Sequence, residues 1–402
     1  MSAAEAATAR PRSAAASAVA GERDLRLDFF RGLAMFIILA AHIPGNWLAL
    51  WIPARFGFSD ATEIFVFCSG MASAIAFGRT YDRRPWAIGT ARVAWRVWQV
   101  YWAHVGMFLV IAATMAALDA TGAFGRSYVA QLNLGPFFAE PAVGLVGLLT
   151  LSYVPNYFDI LPMYLAILAM MPVVIVVGDR SPPALALLLA GLWLAANLQL
   201  LQFPAEPWSD REWFFNPFGW QLVFFTGFAL MRGWLPPPPV SARLALAAAA
   251  IVVLAIPLAW FRLLNAVPAL AEARAAIDPL IWKTDFGLLR YTHFLALAYL
   301  AWAAAGDRGA RLVATGPGLG SAAWNATLKF IRKVGQQSLI VFVFSMGLAR
   351  LLGVALDVAG RNLATMTLAN LVGFACLVAA AHAGAWFKSE PWRGRSGPAP
   401  RP

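Results

Sequence analysis

Apolar stretches of membrane length follow one another along nearly the whole chain, separated by short polar breaks. About 20 mostly apolar residues cross a ~30 Å hydrocarbon core as a helix. Ten stretches fit that template, at about 27–47, 62–80, 95–117, 156–178, 183–203, 217–233, 241–260, 286–305, 334–357 and 364–387. The pattern therefore predicts an all-α polytopic integral membrane protein with about ten transmembrane helices. The segment 140–153 is apolar but short, which suits an interfacial or re-entrant piece. Pro236 to Pro239 mark a tight turn. No internal repeat and no second soluble domain stand out.

Composition agrees. Of 402 residues, 60% are hydrophobic and 13% charged, about half the charge of a soluble domain. The net charge of +11 invites a nucleic-acid reading. Its distribution excludes that, because the positive residues alternate by loop and form no single patch. Arg79, Arg83, Arg84, Arg92 and Arg96 fall between the second and third stretches or at their facing ends, and Arg308, Arg311, Lys329, Arg332 and Lys333 between the eighth and ninth. That side, with both termini, holds 21 of the 31 Lys and Arg residues. The opposite loops hold seven, and Arg31, Arg290 and Arg350 lie inside apolar stretches. The positive-inside rule then puts both termini in the cytoplasm. Residues 1–24 read as a disordered basic cytoplasmic tail and not a cleaved signal, 25–388 as the transmembrane domain, and 389–402 as a second cytoplasmic tail. Cys68 and Cys376 both lie in apolar stretches and read as small buried hydrophobes.

Ionisable groups at membrane depth are costly and mark function. The first stretch carries Asp28, Arg31 and His42. Arg31 and His42 are close to three helical turns apart, so they share a face about 16 Å in length. Depth gathers a second set near the outer face: His42 with Asp60, Glu63, Asp159, Asn216, Gln221, Arg290 and His293. His42 next to a carboxylate suits general-base work. Asp60 and Glu63 also suit a plain helix start. Arg31 admits three readings: an interfacial anchor, a partner of Asp28, or a clamp on an anionic ligand from the cytoplasm. His104 sits mid-span within reach of Tyr101, and His382 suits a helix C-terminus. Metal binding is not expected, since the four histidines show no ligand spacing. No Walker loop, dinucleotide fingerprint or GxSxG elbow occurs.

The blocks LRLDFFRGLAMFIILAAHIPGN, FGFSDATEIFVFCSGMASA, NYFDILPMYLAIL, WFFNPFGWQLVF, LRYTHFLALAYL and GQQSLIVFVFS resemble the OpgC family of bacterial inner-membrane proteins, over residues 23 to 388. Arg31 followed after ten residues by His42 resembles the R-x10-H signature of the wider acyltransferase-3 group. The resemblance implies O-acyl transfer, with a succinyl group moving from cytoplasmic succinyl-CoA to a periplasmic glucan hydroxyl. It implies acyl-CoA as co-substrate and no resident cofactor. His42 would be the catalytic base and Arg31 would position the donor. Asp60, Glu63, Asp159 and His293 fall in matching blocks. In the expected chemistry Glu63 or Asp60 orients the base, while Arg290 or Asn216 stabilises the oxyanion. CoA would stay at the arginine-rich cytoplasmic face with its arm reaching His42. The competing reading is a transporter or flippase for an acylated or sugar-linked substrate, which would require no CoA.

Overall fold

A computed structural model describes residues 24–393. The tails expected at 1–24 and 389–402 therefore lie mostly outside the described residues; Asp24 is described, and its carboxylate caps the first helix through the Arg26 amide. The fold is all-helical, with one isolated β-bridge, Pro204 to Glu212, and no longer strand among the described residues.

Twelve helices carry the architecture: α1 Leu25–His42, α2 Ala61–Arg83, α3 Trp86–Ala120, α4 Pro141–Thr150, α5 Ile160–Arg180 and α6 Pro182–Asn197. They continue with α7 Pro217–Arg232, α8 Ala242–Ala259, α9 Leu288–Ala305, α10 Leu319–Gln336, α11 Ser338–Ala359 and α12 Leu363–Lys388. Ten of them coincide with the ten predicted stretches. Six, namely α2, α3, α5, α8, α11 and α12, are long and apolar enough to cross a membrane. The other four fall short for identifiable reasons. α6 and α7 are 16 residues each. α1 carries Arg26, Asp28 and Arg31, and α9 carries Arg290 and His293. α4 has ten residues, half a crossing, as its short apolar run suggests.

The charge pattern hid α10. Lys329, Arg332 and Lys333 made 319–336 look like loop, but the segment is an amphipathic helix packed tightly on α1. Two glycines allow that approach. A Cβ on Gly32 would sit 1.9 Å from the Ile331 carbonyl oxygen, and one on Gly335 would sit 1.9 Å from that of Asp28. The α2–α7 crossing uses the same device: a Cβ on Gly70 would sit 1.9 Å from the Phe224 carbonyl oxygen. Small residues at such crossings substitute for the hydrophobic drive that lipid removes. Gly70→Ala is therefore expected to push these helices apart and lower stability by about 3 kcal/mol, read as an earlier thermal unfolding midpoint in detergent.

α1 is the central helix, with Met35 and Leu39 fully buried. It ends at His42 because Pro44 disfavours helical geometry at Ile43, which turns to φ −70°, ψ 114°. α11 runs parallel to it. Ser338 meets Arg31 at one end, and Arg361, just beyond α11, donates to the Pro44 carbonyl at the other. Within α2, residues Ala74–Gly78 form a π-helical turn, a local unwinding that often accompanies function.

Candidate functional site

Four cavities follow one another through the α1–α2–α3–α5–α11 bundle. The first, about 610 Å³, is an arginine-rich mouth bordered by the π-helical turn and by Arg79, Arg83, Arg84 and Arg92. Ala76 and Arg92 also border the second, a vestibule of about 370 Å³. Arg31, Ser69, Arg96 and Tyr164 link that vestibule to a constriction of about 30 Å³. Ile160 is shared between the constriction and the last cavity, a chamber of about 450 Å³ walled by His42, Thr62, Tyr157, Asp159, Lys283 and Met346. Arg31 thus borders the constriction and His42 the neighbouring chamber, with Ile160 as the shared wall.

His42 sits on the last turn of α1. Its Nδ1 lies 2.7 Å from the Ile38 carbonyl oxygen. A carbonyl can only accept, so Nδ1 carries the proton and Nε2 is left as the basic nitrogen. The Tyr157 ring meets the imidazole edge-on at 5.2 Å between centroids. Tyr157 holds φ +86°, rare for a residue with a Cβ, and its hydroxyl donates to the Met346 carbonyl at 2.7 Å. Arg31 donates to the Ser338 hydroxyl beside the constriction, while Asp28 accepts from Gln336 at 3.0 Å.

The carboxylates divide by position. Asp159 lines the chamber, and its Oδ1 is buried without a hydrogen-bond partner. Asp60 borders it through Lys283, whose Nζ lies 2.6 Å from Asp60 Oδ2. Asp60 Oδ1 accepts from the Thr62 amide, which caps α2. Burial alone would raise the Asp60 pKa, but Lys283 and Arg290 hold it well below the usual carboxylate range, so it stays ionised. Glu63 is fully buried and spends both oxygens on the frame, one on the Asp60 amide at 2.8 Å and one on Arg290 at 2.6 Å.

Arg290 also donates to the Ile281 carbonyl. Asn216 caps α7 through the Phe218 amide and binds Asp285, Gln202 and the Leu201 carbonyl. Gln221 donates to the Leu189 carbonyl. His293 pairs with the Ser59 hydroxyl at 2.8 Å, its ring packed so closely on Gly57 that a Cβ there would lie 2.3 Å away. None of Arg290, Asn216, Gln221 or His293 walls the chamber. They hold the helix ends around it. His104 is buried with neither ring nitrogen partnered, and the Tyr101 hydroxyl donates elsewhere, to Leu149.

Three chamber neighbours escaped the sequence reading. Lys283 lay among ordinary loop cations. Tyr157 offered only its place in an Asn-Tyr pair before a helix. Arg350 carried the clearest signal, an arginine inside an apolar stretch.

The geometry defines a helical membrane protein with a histidine-walled chamber next to a series of arginine-lined cavities. The family model OpgC_C, described as OpgC protein, matches residues 23–389, and the chain belongs to that family. Membership points to a membrane acyltransferase-like function. No curated protein and no solved structure is matched.

Proposed function

We propose that the protein is a membrane-embedded O-acyltransferase. It moves a short acyl group, succinyl in the reading the family supports, from cytoplasmic acyl-CoA to a hydroxyl of a periplasmic glucan. The observation that carries this reading is the succession of cavities with shared wall residues from the arginine-rich mouth to His42. A CoA head carries several phosphate charges, which the mouth suits, and its thin pantetheine arm suits a path with a narrow waist. The positive-inside distribution supports a mouth on the cytoplasmic side of a bacterial inner membrane.

In the chamber, the acceptor hydroxyl gives its proton to His42 Nε2 as its oxygen attacks the thioester carbonyl. The tetrahedral oxyanion needs donors in a water-poor place. Arg290 and Asn216 are committed to the frame, so Lys283 takes that role: it lines the chamber and keeps N–H groups beyond the one bound to Asp60. Collapse of the intermediate expels the CoA thiolate, which recovers the proton from the imidazolium. A positioned thioester is reactive enough for this with one base. Arg31 guides the arm at the waist.

The test uses purified protein in nanodiscs with labelled succinyl-CoA, with and without glucan. Label reaching glucan supports the reading. Folded protein that turns over no short acyl-CoA sinks it and returns the transport alternative. In the same assay, Arg79→Glu with Arg92→Glu is expected to raise KM for acyl-CoA about tenfold or more, the effect of losing about 1.4 kcal/mol, with kcat far less changed. An unchanged KM would detach the mouth from the donor.

A further inference from the structure

Arg350 is a charge without a counter-charge. It lies in the interior of α11, and no carboxylate among the described residues pairs with it. The acid on its own helix, Asp357, is already engaged by Arg361, Arg126 and Tyr128. The Arg350 guanidinium stacks instead on the Tyr157 ring at 3.9 Å, and its Nε is buried with no hydrogen-bond partner. Tyr157 in turn meets His42. Arg350 is partly buried, its enclosed Nε lacks a partner and no counter-charge among the described residues meets it, and a cation retained in that state inside an apolar helix is explained by negative charge arriving with a ligand.

The register of α11 says where on the ligand that charge sits. Ser338, Phe342, Met346 and Arg350 recur every four residues and form one stripe. Ser338 meets Arg31 at the waist, and Phe342 and Met346 wall the chamber beside His42. Arg350 comes one turn further, about 6 Å beyond Met346. A chain that enters past Arg31 and stops with its carbonyl at His42 points its far end toward Arg350. A carboxylate three bonds beyond that carbonyl spans the remaining turn.

We propose that Arg350 is the anion subsite of the chamber. It recognises the free carboxylate of a short dicarboxylic acyl group and so sets which group is transferred. Tyr157 positions the guanidinium, with its strained backbone fixed by the bond to Met346. Lys283 does not substitute, because Asp60 holds it at the oxyanion position and its remaining N–H groups serve there.

The inference rests on the acyl-transfer reading, and its test separates the two. Transfer to a neutral glucan is measured with succinyl-CoA and with butyryl-CoA, which replaces the carboxylate by a methyl group, for wild type, Arg350→Gln and Arg350→Lys. The readout is the ratio of kcat/KM for the two donors, which any loss of folded protein leaves unmoved. Wild type is expected to favour succinyl-CoA. Arg350→Gln is expected to lower that preference about 100-fold, the scale for a charged hydrogen-bond partner lost from a buried site, and Arg350→Lys to regain part of it. An unchanged ratio, whether both rates fall together or neither falls, overturns the proposal: Arg350 then serves the oxyanion, an anionic acceptor or the fold. A wild type with no preference for succinyl-CoA overturns it too. Folded wild type that transfers neither group is the failure of the acyl-transfer reading itself.

Discussion

His42→Ala is expected to lower kcat for glucan acylation by about 10³-fold, within the range for loss of a general base, with the unfolding midpoint close to that of wild type. The two halves of this expectation come from different features. The activity half follows from the ring's orientation. Ile38 fixes the proton on Nδ1, and Nε2 is the nitrogen with no bond inside the protein frame. The stability half follows from the ring's place. His42 lies at the last turn of α1 and walls a cavity, and its hydrogen bond closes only to its own helix. Removing it deletes one local bond and opens no void in the packed core around Met35 and Leu39. Labelled transfer and thermal unfolding, measured on the same preparation, check both halves. Full transfer by folded His42→Ala protein would remove the histidine from the chemistry.

The fold was largely legible because the bilayer imposes a strong rule. Every backbone polar group must be satisfied within the span, so apolar length alone marks a helix. That rule located ten of the twelve helices as membrane-length stretches and flagged the short α4. It passed over α10, whose lysines and arginines broke the apolar run although their spacing was helical. Depth was a weaker guide. It grouped His42 with Asp159, which walls the same chamber, and with Asp60, which borders it through Lys283, but it gave the same weight to Asn216, Arg290 and His293, which face the frame. Depth fixes one coordinate of a side chain. The direction it points around the helix axis depends on neighbours distant in sequence, such as Asp285 for Asn216 and Ser59 for His293. Lys283 shows the same limit from the other side: a loop cation by pattern, it enters the chamber because Asp60 draws it in.

Glu63→Gln is expected to destabilise the protein by about 3–5 kcal/mol, the cost of breaking a buried ion pair from one side. Glu63 has no exposed surface, and its partner Arg290 is largely enclosed. The amide would keep the shape and one hydrogen bond but would leave the guanidinium without its charge. The pair joins α2 to α9, and the adjacent Asp60–Lys283 pair joins the start of α2 to the loop before α9. Together they form a row, Arg290, Glu63, Asp60 and Lys283, with two acids between two cations and the Asp60 amide donating to Glu63. Weakening one member loosens the chamber wall from behind. The companion variant Glu63→Gln with Arg290→Gln removes both charges and is expected to recover part of the loss, a coupling that a double-mutant cycle measures directly. If Glu63 instead orients His42, Glu63→Gln loses turnover at an unchanged unfolding midpoint, and the double variant regains nothing. Two oxygens already committed to Arg290 and to the Asp60 amide favour the first outcome: the carboxylate holds the site together and His42 works within it.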